Sequence, residues 1–297
     1  MSKTWFITGV SSGIGRLLAE KALSRGDHVI GTSRNGDALP DLRERHPQRL
    51  RIVGLDLKDP AAVRAAVDDA FERAGHIDVL VSNAGYGVFG AAEETDDRQL
   101  RDIIDVNLIG AIALIRSALP HLRAQGGGRL LQISSEGGQC AYPGFSLYHA
   151  TKWGVEGFVE AVCQEVAGFG IEITLVEPGP ARTDFGVNLV KTAPTPAYQD
   201  TPVQQLRDGL DGSWVIKGDP DRMTTAMLEM VDRREPLPRR LVLGADSYAN
   251  VRQALSSRLS ALEAQRAVAL SADFTDSELA GLPSKPASRT AVDARPA

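Results

Sequence analysis

Residues 4–23 read TWFITGVSSGIGRLLAEKAL, and this stretch decides the fold. An apolar run over 4–7 meets a glycine-rich turn over 8–15, and an amphipathic stretch follows. This order predicts a strand, a turn and a helix. The glycines let a ligand approach the backbone closely, and a helix N-terminus presents free N–H groups with a partial positive charge. The turn therefore suits a pyrophosphate, although its Gly-x-x-x-Gly-x-Gly spacing differs from the commoner Gly-x-Gly-x-x-Gly fingerprint. The residues expected to hold the cofactor here are Gly9, Ser11, Ser12, Gly13, Ile14 and Gly15.

The rest of the chain alternates between short apolar runs and helical patterns. Further strands are predicted at 28–32, 51–55, 77–81, 130–133, 171–176 and 240–244. Helices are predicted at 59–71, 97–119, 148–166, 219–231 and 248–270. Because parallel strands need right-handed crossovers, the alternation predicts an α/β fold: a Rossmann-type doubly wound parallel sheet of about seven strands, with helices on both faces and a C-terminal helical extension.

The predicted domain organisation is simple. One dinucleotide-binding catalytic domain is expected over 1–283, with a substrate lid at 184–217 and a C-terminal helix at 247–270. Residues 184–217 interrupt the alternation and are rich in Thr, Pro, Asp and Gln. Residues 284–297 contain Pro, Ala, Ser and Arg with almost nothing to bury, so a disordered tail is expected there.

Composition and charge narrow the class of partner. The chain has 297 residues, of which 43% are hydrophobic and 24% charged, and its net charge is -5. An acidic chain gives no electrostatic reason to bind nucleic acid or an anionic membrane. No apolar run reaches about 18 residues, and the N-terminus enters a strand directly, so we expect a cytoplasmic protein without a membrane span. Two cysteines, Cys140 and Cys163, are too few for a disulfide framework or a metal site and are expected to be small buried side chains.

Residues at the ends of the predicted strands are candidates for the cofactor site. Ser33 and Arg34 end the second strand with no acid before Asp37. An acid at this position commonly holds the ribose 2′-hydroxyl of NAD, whereas an arginine accepts the 2′-phosphate of NADP. The sequence therefore favours NADP(H) over NAD(H). The other candidates are Asp56, Leu57, Asn83, Ala84, Gly85, Pro178, Gly179 and Thr183.

A Tyr-x-x-x-Lys pair carries the candidate chemistry. Tyr148 and Lys152 share one face if this segment is a helix. A phenol is a poor acid or base at neutral pH unless a neighbouring cation favours the phenolate, and Lys152 is placed to supply that cation. Ser135, just after the fifth predicted strand, is expected to bond the substrate oxygen to which Tyr148 gives a proton. Asn107 lies in an apolar helix and needs partners if it is buried.

In order along the chain, these motifs resemble the short-chain dehydrogenase/reductase family. The resemblance rests on Thr8-Gly9-x-x-x-Gly13-x-Gly15, Asn83-Ala84-Gly85, Asn107, Ser135, Tyr148-x-x-x-Lys152 and Pro178-Gly179-x-x-x-Thr183, and it covers about residues 3–245. It implies that Tyr148 is the general acid/base and that Ser135 anchors the carbonyl. It also implies that Lys152 tunes the phenol and holds the nicotinamide ribose, while Asn107 anchors a water for proton relay. Tyr148 and Lys152 thus also count among the cofactor-binding residues.

The resemblance implies an oxidoreductase that interconverts a ketone or aldehyde and an alcohol with NADP(H). The substrate is expected to be a small molecule with apolar surface, bound without a metal. The extra C-terminal length resembles the family's longer members, which act on steroids, retinoids and other carbonyl compounds. A homodimer or homotetramer is compatible with the family, and the extension argues against the tetramer. The alternative is a non-catalytic regulator that senses NADP(H) on the same fold. Such a sensor has no use for Ser135, Tyr148 and Lys152 together.

Overall fold

The computed structural model describes residues 2–210 and 215–282. The described residues divide into two compact units after residue 254. The single domain predicted over 1–283 stays a prediction. The division falls inside the continuous helix Ala245–Ala264, a position that no break in the sequence pattern marks. The predicted disordered tail at 284–297 lies outside the described residues.

Nine strands and eleven helices are defined in the described part of the chain. The strands are β1 Thr4–Thr8, β2 His28–Ser33, β3 Leu50–Gly54, β4 Val79–Ser82, β5 Val88–Phe89, β6 Gly128–Ile133, β7 Ile171–Pro178, β8 Val190–Lys191 and β9 Arg240–Leu243. The helices are α1 Gly13–Ser24, α2 Pro40–Arg45, α3 Pro60–Ala74, α4 Asp97–Ile104, α5 Ala111–Ala124, α6 Ser146–Glu165, α7 Pro202–Asp208, α8 Pro220–Asp232, α9 Ala245–Ala264, α10 Arg266–Ser271 and α11 Asp276–Gly281. A π-helical turn, Asp105–Gly110, joins α4 to α5.

Seven strands form one parallel sheet in the order β3-β2-β1-β4-β6-β7-β9, which confirms the predicted fold. The chain order reverses between β1 and β4, where Ile7 pairs with Val81. Ligands of doubly wound sheets bind in the crevice at the carboxyl ends of the strands on either side of such a reversal. The ends of β1 and β4 are therefore the expected location of the cofactor.

The sheet is covered on both faces, which explains why its strands are almost continuously apolar. Trp5 and Ile7 of β1 pack into a core that includes Leu18 of α1, and α8 lies beside α1 on this side. Phe6 points the other way and joins a core that includes Leu114 of α5. Each fully buried side chain of this size stabilises the fold by about 1.5–3 kcal/mol. The two cores together fix the strand ends that carry the candidate site.

The short elements α2, β5 and β8 were not predicted from the sequence. Helix α2 has six residues, and the pair β5 and β8 has two residues in each strand. Elements this short have too few residues to show a repeating hydrophobic pattern. The predicted cysteine environment is confirmed, since Cys140 is 7% and Cys163 is 4% exposed.

The continuous helix over 97–124 is long and apolar enough, by length and composition, to cross a membrane, a test that core helices of soluble proteins also pass. In the first unit α5 packs against α3, and the π turn contacts α6. Leu114, Ile115 and Ala118 of α5 are fully buried in the protein core. These three side chains face the protein core, and the absence of a membrane span stays a prediction.

Candidate active site

The carboxyl end of β6 and the first two turns of α6 bring three predicted residues together. The Ser135 hydroxyl, which also accepts a bond from the Gly137 N–H at 3.0 Å, is hydrogen-bonded to the Tyr148 phenol. Lys152 Nζ donates to the carbonyl oxygen of Ile133 at 3.0 Å. Ser135, Tyr148 and Lys152 therefore form one cluster, held by a strand end on one side and a helix on the other.

Burial dominates the protonation of this cluster. It raises the pKa of Tyr148 to about 12, against the lowering effect of the bond to Ser135. It also lowers the pKa of Lys152 to about 8, against the attraction of Glu156. At neutral pH the phenol is therefore protonated, and the lysine is largely an ammonium ion.

The structure differs here from the expectation that Lys152 lowers the pKa of Tyr148. Lys152 Nζ lies 5.5 Å from the centroid of the phenol ring and bonds to the Ile133 carbonyl. The cation is thus close to the phenol, but burial raises the pKa of the phenol. A neutral phenol beside an ammonium ion is arranged to give up a proton, since the cation stabilises the phenolate that forms.

The structure separates the two neighbouring serines, as the choice of Ser135 requires. The Ser134 hydroxyl donates to Glu156 Oε1 at 2.5 Å, and the residue is only 2% exposed. Ser135 is partly exposed and faces the phenol. Ser135 is therefore the serine available to a substrate oxygen.

Asn107 is buried in the π turn between α4 and α5. Its Oδ1 accepts from the Tyr86 N–H at 3.0 Å, and its Nδ2 donates to the Tyr86 carbonyl at 2.7 Å. Nδ2 also lies 3.4 Å from the Thr151 hydroxyl of α6. The amide thus fixes the loop after β4 against the helices, and its predicted role in a water relay stays a prediction.

The glycine turn is fixed by Asn83 at the reversal of strand order. Asn83 Nδ2 donates to the carbonyls of Thr8 at 2.8 Å and Gly9 at 3.1 Å. Gly9 has φ +71° and Gly13 has φ +55°, a region that favours glycine. A Cβ at Gly15 would overlap the Gly9 carbonyl, so a side chain there is excluded.

These residues fit a dinucleotide. Ser12 is the N-cap of α1, and its side chain makes no capping bond, so the first turn keeps N–H groups for an anion. A Cβ at Gly13 would lie 3.6 Å from Thr183 Cβ, and a Cβ at Gly85 would lie 4.0 Å from Lys152 Nζ. The predicted cofactor residues therefore follow one edge of the sheet from the N-terminus of α1 to Lys152.

The remaining predicted cofactor residues lie at strand ends, with different contacts. Arg34 is exposed, close enough to Tyr86 for its charge to lower the pKa of that phenol, although burial sets the pKa at about 12. Asp56 is exposed, and its Oδ1 accepts from the Lys58 N–H at 3.0 Å. Leu57 is 6% exposed and packs close to Gly110, so the structure gives it a packing role.

Two further members of that set, Ser33 and Gly179, make backbone or local contacts. The Ser33 hydroxyl accepts from the Gly36 N–H at 3.2 Å. The Gly179 N–H, just after Pro178, donates to the Leu243 carbonyl at 3.0 Å. These bonds hold the ends of β2 and β7 in place, where the cofactor residues emerge.

Aromatic side chains surround Tyr148. The ring centroid of Phe185 lies 5.7 Å from that of Tyr148, and Phe145 lies 6.1 Å away on α6's N-terminal side. Phe145 in turn contacts Phe89 at 5.1 Å. A Cβ at Gly87 would lie 3.1 Å from the Phe185 ring, so glycine leaves room for this ring. The surroundings of the reacting groups are thus largely apolar.

Sequence reasoning missed Glu94, which anchors the segment over 184–210. Its side chain is fully buried and receives the Nη2 of Arg207 at 2.7 Å. It also accepts the N–H of Ala91 at 2.8 Å and of Thr195 at 2.7 Å. Burial acts to raise its pKa, but these bonds and the Arg207 charge lower it to about 2. Nothing in the local sequence marks it, since Arg207 and Thr195 lie about 100 residues away.

Sequence reasoning also missed a polar group beside Ser135. Glu136 is 4% exposed, and its Oε2 accepts from Asn250 Nδ2 at 3.1 Å. The Asn250 amide also donates to the Tyr142 hydroxyl at 3.2 Å. The Tyr142 hydroxyl in turn bonds to Glu136. Burial raises the pKa of both Glu136 and Tyr142. A charged residue directly after the candidate serine was the available signal.

His149 follows Tyr148, and the two ring centroids lie 6.1 Å apart. Its Nδ1 bonds to the Gly137 carbonyl at 2.8 Å, and its Nε2 accepts from the Tyr142 N–H at 2.8 Å. Burial lowers its pKa, so the ring is neutral at pH 7. Among the residues described, no cluster of three or more His, Cys, Asp or Glu is arranged to hold a metal ion.

Comparisons with known proteins agree with this arrangement. A family model described as short chain dehydrogenase matches residues 3–194. The oxidoreductase BOA17 of Botryotinia fuckeliana is 38% identical over 252 residues, which are 83% of this chain and 90% of that protein. A crystal structure of a short-chain dehydrogenase from Streptomyces avermitilis is 39% identical, with a TM-score of 0.85, and the match covers 92% of this chain and 98% of the other.

The name of a third similar protein includes its cofactor. The NADPH-dependent 3-dehydrocapnine reductase of Ornithobacterium rhinotracheale is 32% identical over 211 residues, 69% of this chain and 74% of that protein. Solved structures with the same fold hold NAD in one case and NADP in another. The chain belongs to the short-chain dehydrogenase/reductase family and is an oxidoreductase.

Proposed function

We propose that this enzyme reduces a ketone or aldehyde to an alcohol, and catalyses the reverse oxidation, with NADP(H) favoured over NAD(H). The observation that carries the proposal is the cluster of Ser135, Tyr148 and Lys152 beside a glycine turn. When bound, a nicotinamide cofactor would supply the hydride for the carbonyl carbon, or accept it in the oxidation. The protein supplies the proton and the hydrogen bonds at the substrate oxygen.

Each side chain has a distinct task in the reduction. The Ser135 hydroxyl donates to the carbonyl oxygen and orients it toward the phenol. Tyr148 gives its O–H proton to that oxygen, and the pKa raised by burial keeps this proton in place until it is needed. The Lys152 ammonium stabilises the resulting phenolate. In the oxidation the same groups act in reverse, and Tyr148 takes the proton.

The apolar surroundings support a substrate with substantial apolar surface. Phe145, Phe185 and Phe89 lie on the side of Tyr148 where the segment over 184–210 begins. Ligand sites are commonly apolar with a few polar groups that fix orientation. We propose that residues 184–210 form part of a substrate lid. The cytoplasmic location and the oligomeric state stay predictions from the sequence.

A turnover screen of ketones, aldehydes and secondary alcohols with NADPH, NADH and the oxidised cofactors tests the function. Consumption of medium-sized apolar carbonyl compounds is expected. Activity limited to small polar sugars would contradict the proposed pocket. Binding of cofactor without turnover across the whole panel would contradict the proposed reaction.

The cofactor preference rests on Arg34, which is exposed just after β2 and is followed by no acid before Asp37 in the sequence. A charge-assisted bond from guanidinium to a 2′-phosphate contributes about 1.5–3 kcal/mol. Arg34→Ala is therefore expected to raise the KM for NADPH by roughly 10- to 100-fold and to leave the KM for NADH nearly unchanged. Steady-state kinetics with each cofactor measures both constants.

Arg64→Ala is the matched control, because Arg64 is an exposed arginine on α3. It is expected to change neither constant. Arg34→Asp adds repulsion against the phosphate and an acceptor for the ribose hydroxyl, so it is expected to reverse the preference. An equal increase of the KM for NADPH and for NADH in Arg34→Ala would reject the NADP(H) selectivity. The proposed reaction class would stand.

A further inference from the structure

A buried carboxylate stands one turn after Lys152 on α6. Glu156 is 3% exposed, and its Oε1 accepts from the Ser134 hydroxyl at 2.5 Å. Its Oε2 accepts from Gln139 Nε2 at 2.9 Å and from Arg240 Nη1 at 2.6 Å. Donors directed at both oxygens favour the charged form of a carboxylic acid. The core of the enzyme thus holds a negative charge that the proposed reaction does not yet use.

Glu156 bonds to Ser134, and both chain neighbours of Ser134 contact the reacting groups. Ser134 lies between Ile133, whose carbonyl receives the Lys152 ammonium, and Ser135, whose hydroxyl bonds to Tyr148. Because Glu156 is on the same helix as Tyr148 and Lys152, its bond to Ser134 joins that helix to the strand end. Both sides of the active-site cluster are thereby held by one carboxylate.

The charge of Glu156 also acts on Lys152. The two residues are four apart on one helix, and their attraction opposes the effect of burial on the ammonium. The other charged groups that face Glu156 are Glu160 on α6, Glu177 on β7 and Arg240 on β9. Burial and the Glu156 charge raise the pKa of Glu177, so Glu177 takes up a proton more readily. Arg240 is shared by Glu156, Glu160 and Glu177, so even with Glu177 protonated this group keeps one net negative charge beside Lys152.

The backbone is shaped around this carboxylate. A Cβ at Gly138 would overlap Glu156 Oε1 and lie 2.9 Å from the Ser134 hydroxyl oxygen. Any side chain at position 138 therefore displaces either the carboxylate or the serine. The glycine that follows the candidate serine by three residues has a physical reason in this contact.

We propose that Glu156 is a positioning residue of the active site: its carboxylate fixes the segment 133–135 against α6, and its charge stabilises the Lys152 ammonium. The kinetic half of this inference rests on the proposed function. The electrostatic half does not, because it concerns the titration of Lys152 in the free enzyme.

The first experiment follows Lys152 directly by NMR of ¹³Cε-labelled lysine, with the resonance assigned by its loss in Lys152→Met. Glu156→Gln keeps the shape of the side chain and removes the charge. It is expected to lower the titration midpoint of Lys152 by about one pH unit, a tenfold change in its protonation equilibrium. Glu160→Gln is the matched control, since Glu160 is on the same helix and also bonds Arg240 but is half-exposed. Its expected shift is below about 0.3 unit.

The second experiment separates the hydrogen bond from the charge. Ser134→Ala removes the bond to Glu156 and keeps the carboxylate with Gln139 and Arg240. It is expected to lower kcat about tenfold with the Lys152 midpoint unchanged. In Glu156→Gln the alkaline limb of the pH profile for carbonyl reduction is expected to move down with the midpoint, because activity needs the ammonium.

A Lys152 midpoint at the wild-type value in folded Glu156→Gln would overturn the electrostatic role. Wild-type kcat in Ser134→Ala would overturn the positioning role. If Glu156→Gln does not fold, Glu156→Asp replaces it. Aspartate keeps the charge but is shorter, so a wild-type midpoint with reduced kcat is expected, and a midpoint shifted by a full unit would overturn the proposal. A failed substrate screen would reject the proposed function and leave the NMR result decisive for Glu156.

Discussion

Two regions of this enzyme bury ionisable side chains, with opposite effects on their protonation. Around the end of β6, burial raises the pKa of Tyr148 to about 12 and lowers that of Lys152 to about 8. Under the segment over 184–210, the buried Glu94 has a pKa lowered to about 2. Burial thus favours the neutral form in the first region, while the charged form prevails in the second.

The number of hydrogen bonds to the charged form explains the difference. Glu94 accepts from two backbone N–H groups, two threonine hydroxyls and the Arg207 guanidinium. Tyr148 has the Ser135 hydroxyl, and Lys152 donates to the Ile133 carbonyl. A group with many partners for its charge stays charged and serves as an anchor. A group with few partners changes its protonation at small cost, as acid/base chemistry requires.

The largest expected effect comes from the catalytic region. Tyr148→Phe removes the transferable proton and keeps the ring between Phe145 and Phe185. It is expected to lower kcat by about 10²- to 10⁴-fold, because general acid catalysis contributes an effect of that size. The dissociation constant for NADPH, measured by fluorescence titration, is expected to stay within about threefold of wild type.

Phe145→Leu is a suitable control, since Phe145 contacts the Tyr148 ring and carries no proton. It is expected to change the KM of the substrate more than kcat. Turnover at the wild-type rate in Tyr148→Phe would show that Tyr148 is not the proton donor. The contrast between acid/base residues near β6 and the anchor Glu94 would then fail.

The second prediction concerns the anchor. Glu94→Gln places an amide against donors and removes the charge, so hydrogen-exchange protection in peptides over 188–208 is expected to fall at pH 7. The shift of the Glu94 pKa from 4.5 to about 2 corresponds to about 3 kcal/mol, or roughly 10²-fold in local opening. Because the folded-state pKa is depressed, this stability is present above about pH 4.5 and is lost as the pH falls toward 2. The difference between wild type and Glu94→Gln should therefore shrink between pH 5 and pH 3.

Asp97→Asn provides the control for charge alone, as Asp97 is exposed in the first turn of α4. Its exchange pattern over 188–208 should match wild type at every pH. If Glu94→Gln protects these peptides as well as wild type does at pH 7, Glu94 is not the anchor.

The sequence predicted the catalytic region better than the anchor for a physical reason. Tyr148 and Lys152 are one helical turn apart, and the glycine turn is contiguous, so local spacing carries their geometry. The strand ends that bring Ser135 and Asn83 to the same edge follow from the parallel sheet. Glu94 meets Thr195 and Arg207 only through the folded chain, and no local pattern records such a contact.

The same limit applies to the charges of the core. The sequence shows Glu156 on a helix, but its partner Arg240 lies 84 residues away. The pKa of Tyr148 was expected to be lowered by Lys152, and burial, which a sequence does not display, reversed the direction. The division of the chain after residue 254 also lies inside one uninterrupted helical pattern.

The smallest expected effect concerns Glu136, whose environment is intermediate between those of Tyr148 and Glu94. Glu136 is buried next to Ser135, and burial raises its pKa while the bonds from Asn250 and Tyr142 lower it. Asn250→Ala removes one of these donors, so the pKa of Glu136 is expected to rise further. Asn250 is exposed, and one such hydrogen bond contributes about 1 kcal/mol, so thermal unfolding should shift by only a few degrees and kcat by less than about threefold. Asn250→Asp replaces the donor with a second carboxylate, which repels Glu136. It should therefore lower the melting temperature more than Asn250→Ala does. Equal melting temperatures for the two variants would show that Glu136 is protonated at neutral pH, and would place it with Tyr148 rather than with Glu94.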